Sequence, residues 1–252
     1  MASKSLLRLA LVAIGLALVV ISFLALKGPA GINVIIIAVD ALRADRLGCY
    51  GAEDALSPAV DSIAAQGVMF LNATTQAPAT GPSFTTLMTS RYPLVHGVVT
   101  SGFSLAGSQL TLAEVLRDAG YQTVAFPGNA AVVPRLGLSQ GFELYDSRAD
   151  TDDEQLDAQE ISDHLLPWLE SHARKPFFVF AHYTEPHAPY RFHDPDSPYT
   201  IPGQYLKSIF EERRELDQNE LARIRAAYDS EVSLADQHIK QVLHKLDEIG
   251  VL

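Results

Sequence analysis

The sequence predicts an α/β fold in which a mostly parallel β-sheet is sandwiched between helices. Short apolar runs rich in β-branched or aromatic residues recur at 32–39, 121–126 and 177–181. Such runs are typical of strands that are buried on both faces of a parallel sheet. Helical stretches alternate with them, at 59–66, 83–89, 111–119, 156–171 and 219–249. This alternation indicates an open parallel sheet, whose ligands bind outside the carboxyl ends of the strands.

The composition supports a folded domain and excludes several other classes. The chain has 252 residues, of which 48% are hydrophobic and 19% are charged, with 16 Gly and one Cys. A disordered chain has fewer apolar residues, and a collagen-like chain has far more glycine. A single cysteine excludes a disulfide scaffold and a multi-cysteine zinc module. The length suits one large α/β domain with an appended segment.

The net charge of −11 is unevenly distributed. Residues 1–27 contain three basic residues and no acidic one, so the remaining chain carries 16 basic and 30 acidic side chains. Nucleic acid is a poor partner for this remainder, because phosphate binding requires a basic surface. A divalent cation is a better partner.

Residues 9–26 form an uncharged apolar segment that predicts a transmembrane anchor. As a helix it would be about 27 Å long, close to the ~30 Å hydrocarbon core of a bilayer. Lys4 and Arg8 precede the segment, and basic residues favour the cytoplasmic side, so residues 1–8 are predicted to be cytoplasmic. A linker at 27–31 would then lead to an extracytoplasmic (periplasmic or extracellular) domain at 32–252. A cleaved signal peptide is an alternative, but residues 25–28 offer no clear small-x-small site. A soluble core helix is the weakest alternative, because the segment has no polar face.

Start and stop signals define several of the elements. The first strand ends at Asp40, and Thr111 and Glu114 have the spacing of a capping box before the helix at 111–119. The segment 186–205 is rich in Pro, Asp, His and Tyr, and is predicted to be an ordered loop or lid. The helix at 219–249 has Asp217 and Glu220 spaced as a cap, and Gly250 as a stop signal.

Polar residues at the ends of these elements are the candidates for chemistry. Asp40 follows a buried strand, where a carboxylate holds a metal ion or else caps a turn. Thr80 and Ser83 flank Pro82 at a helix start, where backbone N–H groups favour an anion, although a simple helix cap is the more common role of such residues. His182 and His187 follow the third strand and could donate to an anionic ester or a leaving oxygen, whereas paired loop histidines are often only solvated. The remaining histidines, including those at 164, 172 and 244, are predicted to lie at the surface.

Taken together and in order, these segments resemble the amino-terminal half of the sulfatase family within the alkaline phosphatase superfamily. The similarity covers residues 32–252. Its main pieces are the strand 33–37 with Asp40, the stretches 42–51, 57–64 and 67–70, the nucleophile region 80–93 with 96–98, and the stretches 119–123, 182–190 and 228–232.

The resemblance implies a role for each matched position. Asp40 matches a metal-ligand aspartate, and Thr80 stands at the position of the nucleophile, whose oxygen is also a metal ligand. His182 and His187 match the histidine region of the substrate pocket. The resemblance also implies two substrate-binding residues, Arg91 and Asn129. Arg91 matches an arginine that follows the nucleophile helix, where it either contacts substrate or supports the helix.

Departures from the family pattern refine these expectations. Formylglycine-dependent sulfatases need Cys or Ser at the nucleophile and an arginine four residues later, whereas this chain has Thr80 and Phe84. No formylglycine is therefore expected, and the threonine resembles the branches that transfer phosphoryl groups. Ala41 replaces a second metal-binding aspartate, which favours manganese or zinc over calcium. The implied activity is metal-dependent cleavage or transfer of sulfate or phosphate esters, with phosphate favoured.

The family's later Asp-His metal ligands have no counterpart in this sequence, and Val251-Leu252 look like the start of another strand. The polypeptide is therefore expected to be an incomplete enzyme that binds metal weakly and turns over little. A non-catalytic extracytoplasmic binding module with the same fold is the alternative. A cytoplasmic oxidoreductase is a distant third, because no G-x-G-x-x-G follows the first strand.

Overall fold

The computed structural model describes residues 31–147, 156–192 and 199–252. The predicted cytoplasmic segment 1–8, the predicted anchor 9–26 and all but the last residue of the predicted linker 27–31 lie outside the described residues. Within the described ranges, no helix combines the length and the apolar character needed to cross a bilayer.

A parallel sheet of four strands forms the centre of the described structure, in the order β1-β4-β2-β3. The strands are β1 (Val34–Val39), β2 (Gln122–Phe126), β3 (Leu144–Tyr145) and β4 (Phe177–Tyr183). The antiparallel pair β5 (Tyr190–Phe192) and β6 (Tyr199–Ile201) forms a separate small sheet. The predicted parallel α/β architecture is therefore confirmed.

Seven α-helices surround the sheet in the described residues. They are α1 (Pro58–Gln66), α2 (Thr80–Thr89), α3 (Pro93–His96), α4 (Leu112–Asp118), α5 (Ala158–His172), α6 (Gly203–Glu212) and α7 (Gln218–Glu248). The predicted capping boxes at Thr111 and at Asp217 are both present. Gly250 has a φ of 70°, as a stop signal after α7 requires.

The strand β4 carries the core on both of its faces. Phe177, Val179, Ala181 and Tyr183 pack with α5 and α7 in one hydrophobic cluster. The intervening Phe178 and Phe180 pack in the opposite cluster, against α2 and α4. Every residue of β4 is buried, as its apolar sequence predicts. His182 continues the second face and is therefore directed toward α2.

Several sequence predictions require correction. The first strand is only half-buried, because β1 lies at one edge of the described sheet. The segment 186–205 is not simply a loop, since it contains the β5–β6 hairpin and the start of α6. The helix predicted over 83–89 begins at Thr80, three residues before the predicted start.

Two histidines predicted to lie at the surface are buried. His238 lies on the face of α7 that packs against α5, where its Nδ1 is 2.9 Å from the Ser162 hydroxyl. His96 ends α3, and its Nδ1 accepts a hydrogen bond from the Val98 N–H. Burial lowers the pKa of both imidazoles. His244, in contrast, is exposed as predicted.

Candidate active site

The candidate site lies at the carboxyl edge of the parallel sheet. Asp40 directly follows β1, and His182 lies near the end of β4, paired in register with Ala38 of β1. Asn129 follows the end of β2, on the other side of β4. Three adjacent strands therefore deliver three polar side chains to one edge, where parallel sheets bind ligands.

These side chains converge on one oxygen of Asp40. The Thr80 hydroxyl donates to Asp40 Oδ2 at 3.0 Å, and the Asn129 amide donates to the same oxygen at 3.1 Å. The Nε2 atom of His182 lies 3.5 Å from it. Burial opposes ionisation of Asp40, but the contacts with His182 and Thr80 outweigh it and hold the pKa of this carboxyl below its ordinary value. Asp40 is thus an anion oriented by three neighbours.

His182 is completely buried, and its surroundings define its protonation pattern. Its Nδ1 accepts a hydrogen bond from the Gly128 N–H at 3.3 Å, so the proton of the neutral ring lies on Nε2, beside Asp40. The ring of Phe84 packs edge-on against the imidazole at 4.8 Å. Position 128 requires glycine, because an added Cβ would lie 2.5 Å from the Thr184 hydroxyl. The Nε2–H of His182 is therefore directed at Asp40 from 3.5 Å, as an electrostatic contact that is too long for a hydrogen bond.

Asp40 and Thr80 open onto a cleft of about 630 Å³. His187 lines this cleft, whereas His182 does not. The Nδ1–H of His187 donates to the Ala188 carbonyl at 2.8 Å, which orients the ring at the cleft. The structure thus separates the two predicted histidines into one that lines the cleft and one that supports Asp40 from the core.

Tyr228 of α7 stabilises the turn that carries Asp40. Its hydroxyl donates to the Ala41 carbonyl at 2.8 Å and accepts from the Arg43 N–H at 2.9 Å. Ala41 has a φ of 56°, an unusual conformation for a residue other than glycine. Burial raises the pKa of Tyr228 to about 12, so the hydroxyl keeps its proton. The long helix α7 therefore holds the turn in place.

Replacing Tyr228 with phenylalanine removes both of these hydrogen bonds and keeps the ring. We expect the free energy of unfolding to fall by about 1–3 kcal/mol, because a part-buried N–H and a part-buried carbonyl lose their partner. Urea denaturation measures this loss. Tyr50→Phe is the matched control, since the Tyr50 hydroxyl bonds the Phe70 carbonyl at the exposed surface. Equal effects of the two substitutions would contradict the supporting role of Tyr228.

The donor atoms at the cleft fit a divalent cation. Asp40 uses Oδ2 for its protein contacts, and Oδ1 accepts no hydrogen bond from the described residues. The carboxylate and the Thr80 hydroxyl are hard oxygen donors of the kind that Mn²⁺ and Zn²⁺ accept. In the parts of the chain that the structure describes, no group of three or more His, Cys, Asp and Glu side chains is arranged around a metal position. Asp40 and Thr80 therefore offer two oxygen donors, fewer than a divalent cation needs in a complete site.

The two predicted substrate-binding residues have different positions. Arg91 is exposed beyond the carboxyl end of α2, about 15 Å along that helix from Thr80. Asn129 is buried, and its amide oxygen accepts from the Ala131 N–H while its NH₂ group bonds Asp40. Neither residue lines the cleft. Their positions favour a surface role for Arg91 and an orienting role for Asn129.

Other residues at the site were not singled out by the sequence analysis. They are Ser101 and Thr75, which line the cleft, and the Thr75 hydroxyl lies 3.0 Å from that of Ser83. Gly128 could have been identified as a site residue from the sequence, because it follows the end of a predicted strand. Ser101 has no such signal, since it lies in a loop outside every motif.

The fold and the cleft together define a protein of the alkaline-phosphatase-like α/β class. Residues 32–252 match the family model described as Sulfatase, so the chain belongs to the sulfatase family.

Relatives and solved structures agree with this assignment. The chain is 26% identical over 221 residues to an ulvan-active sulfatase of Formosa agariphila, covering 85% of this chain and 41% of that protein. It is 25% identical over 291 residues to an arylsulfatase of Clostridium perfringens, covering 87% of this chain and 60% of the relative. The phosphonate monoester hydrolase of Agrobacterium radiobacter has the same fold, with a TM-score of 0.67 at 18% identity over 88% of this chain and 60% of that one. The chain thus spans about half the length of the curated relatives.

Proposed function

We propose that this protein acts as a metal-dependent hydrolase or transferase of sulfate or phosphate esters, with Thr80 as its nucleophile. The observation that carries the proposal is the position of the Thr80 hydroxyl, which lies in the cleft and donates to Asp40 at 3.0 Å. A hydroxyl becomes a useful nucleophile when a neighbouring group accepts its proton or stabilises its anion. Sulfatase family membership makes ester cleavage the expected chemistry.

The residues around Thr80 suit an in-line attack on an anionic ester. Thr80 is the first residue of α2, and no side chain caps this helix start. The unpaired N–H groups and the positive end of the helix dipole therefore favour negative charge on the ester oxygens. Asp40 receives the hydroxyl proton at Oδ2, and His187 protonates the leaving oxygen from Nε2. A divalent cation held by Asp40 and Thr80 would supply further stabilisation of the anionic charge.

The threonine favours phosphate over sulfate esters in this proposal. A formylglycine hydrate expels sulfate through its second hydroxyl, whereas a threonine ester must be attacked directly by water or by an acceptor alcohol. The cleft lining in the described residues contains no Lys or Arg, so the cation and the helix start would carry most of the charge compensation. The same fold serves a phosphonate monoester hydrolase, which supports this substrate range.

We also propose that the domain is extracytoplasmic and anchored by residues 9–26. The support is the uncharged apolar segment that follows Lys4 and Arg8. Alkaline extraction of membranes from the producing cell, with protease digestion of intact cells, tests both points. Release of the protein by alkali would contradict anchoring, and protection of the domain from protease added on the outer side of the cytoplasmic membrane would contradict the orientation.

Turnover assays test the proposed function. They use the protein expressed at the full length that its gene encodes. The substrates are 4-nitrophenyl sulfate, 4-nitrophenyl phosphate, bis(4-nitrophenyl) phosphate and an aryl phosphonate. We expect turnover of a phosphorus ester, loss of activity with a chelator, and recovery on addition of Mn²⁺ or Zn²⁺. Activity that survives chelation would contradict metal dependence. No turnover of any ester would instead support a non-catalytic binding module, an alternative that the replacement of the family arginine by Phe84 favours.

A further inference from the structure

A second cavity, of about 330 Å³, lies beside the catalytic cleft. It combines three guanidinium groups with aromatic and aliphatic walls. Its lining consists of three arginines, two aspartates, two tyrosines and two aliphatic side chains: Arg43, Arg46, Arg225, Asp45, Asp229, Tyr190, Tyr228, Leu221 and Ile224. Such a lining suits a flat apolar group that carries an anion, because arginine binds carboxylate, sulfate and phosphate through paired N–H donors.

The charges in this cavity leave one arginine available. Arg43 forms a two-pronged ion pair with Asp45, and Arg46 does the same with Asp229. Arg225 projects from α7 and has no ion-pair or hydrogen-bond partner among the described residues. The lining therefore has a net charge of +1 in a chain whose net charge is −11. An anion entering the cavity meets an unpaired guanidinium.

Two short segments connect this cavity to the cleft. Leu42 lines the cleft, and the next residue, Arg43, lines the cavity. His187 lines the cleft, and Tyr190, three residues later, lines the cavity. Three residues span at most about 11 Å, so the two spaces are neighbours. Because His187 protonates the leaving oxygen in the proposed function, the leaving group extends toward the cavity.

We infer that the second cavity binds an anionic group on the leaving-group side of the substrate, with Arg225 as its specificity-determining residue. This inference rests on the proposed function. The preferred ester would have a planar or ring-shaped leaving group that packs against Tyr190 and ends in a carboxylate, sulfate or phosphate. Arg225 contributes to discrimination between substrates and takes no part in bond cleavage.

Paired substrates test the inference. They are 4-biphenylyl esters of the acid that the protein cleaves, with and without a carboxylate at the 4′ position. We expect the native protein to prefer the carboxylated ester, and Arg225→Ala to lower kcat/KM for it by about tenfold, the loss expected for one charge-assisted hydrogen bond. The uncarboxylated ester should change by less than about twofold. Arg174→Ala is the matched control, since Arg174 is exposed and lies outside both spaces.

Binding separates failure of this inference from failure of the proposed function. The probes are biphenyl-4-sulfonate and its 4′-carboxylate, neither of which is cleaved, measured by calorimetry on the same variants. If the native protein binds the carboxylated probe more tightly and Arg225→Ala loses this preference, the anion-binding role of the cavity is supported even if no ester is turned over. Equal affinity for the two probes in the native protein, or an unchanged preference in Arg225→Ala, overturns the inference.

Discussion

Thr80→Ala is expected to lower kcat by at least about 1,000-fold, because the reacting oxygen itself is removed. The substitution leaves the α2 backbone unchanged, since the hydroxyl bonds only Asp40 in the described structure. Thr80→Ser keeps the oxygen and is expected to stay within about tenfold of the native rate. The loss should appear in kcat, since the hydroxyl acts on the reacting atom.

Two further measurements make this result interpretable. Thr74→Ala is the control for a threonine outside the cleft, since Thr74 is exposed and does not line it. Urea denaturation of each variant separates loss of chemistry from loss of folding. Full activity in a folded Thr80→Ala protein would eliminate Thr80 as the nucleophile, and with it the mechanism proposed above.

Glu185→Gln is expected to change how stability depends on pH. Glu185 lies between His182 and His187 and is only 8% exposed. Its Oε1 accepts from the Ala158 N–H at 3.1 Å, while Oε2 has no hydrogen-bond partner among the described residues. Burial raises the pKa of this carboxyl to about 7, and the nearby carboxylates of Glu231 and Asp157 add to the shift. His187 and Arg191 line the same small cavity and are the cationic or protonatable groups that face it.

The raised pKa of Glu185 determines whether its contribution to the free energy of unfolding rises or falls with pH. The folded protein holds a proton on Glu185 up to about pH 7, whereas the unfolded chain releases it near its ordinary value of 4.5. Between these pH values the folded state binds more protons, so the contribution of Glu185 to stability falls as the pH rises. The full difference is on the order of 3 kcal/mol, reached above about pH 8.

The glutamine variant keeps the Oε1 acceptor and cannot ionise. We therefore expect its free energy of unfolding, relative to the native protein, to increase by about 3 kcal/mol between pH 4.5 and pH 8.5. Urea denaturation at intervals across this range measures the difference, with the exposed Glu53→Gln as control. A difference that stays constant with pH would show that Glu185 titrates alike in the folded and unfolded states.

Much of the fold is predictable because its signals are local. The capping boxes at Thr111 and Asp217 connect residues three positions apart, so the sequence alone marks those helix starts. The strand at 177–181 is predictable because it is buried on both faces and therefore uniformly apolar. The hairpin after Tyr190 and the helix α6 were missed because their segment is rich in Pro, Asp and His, which also characterise loops.

The sequence by itself determined the family, three strands of the parallel sheet with the helices between them, and the two residues at the centre of the proposed chemistry, Asp40 and Thr80. Only the tertiary structure decided what their neighbours do. It separated His187, which lines the cleft, from His182, which orients Asp40, and it placed Arg91 at the far end of α2. The physical reason is distance along the chain. Helix caps and strand patterns depend on residues a few positions apart, whereas the contact of Tyr228 with Ala41 joins residues 187 positions apart and exists only after the helices have packed on the sheet.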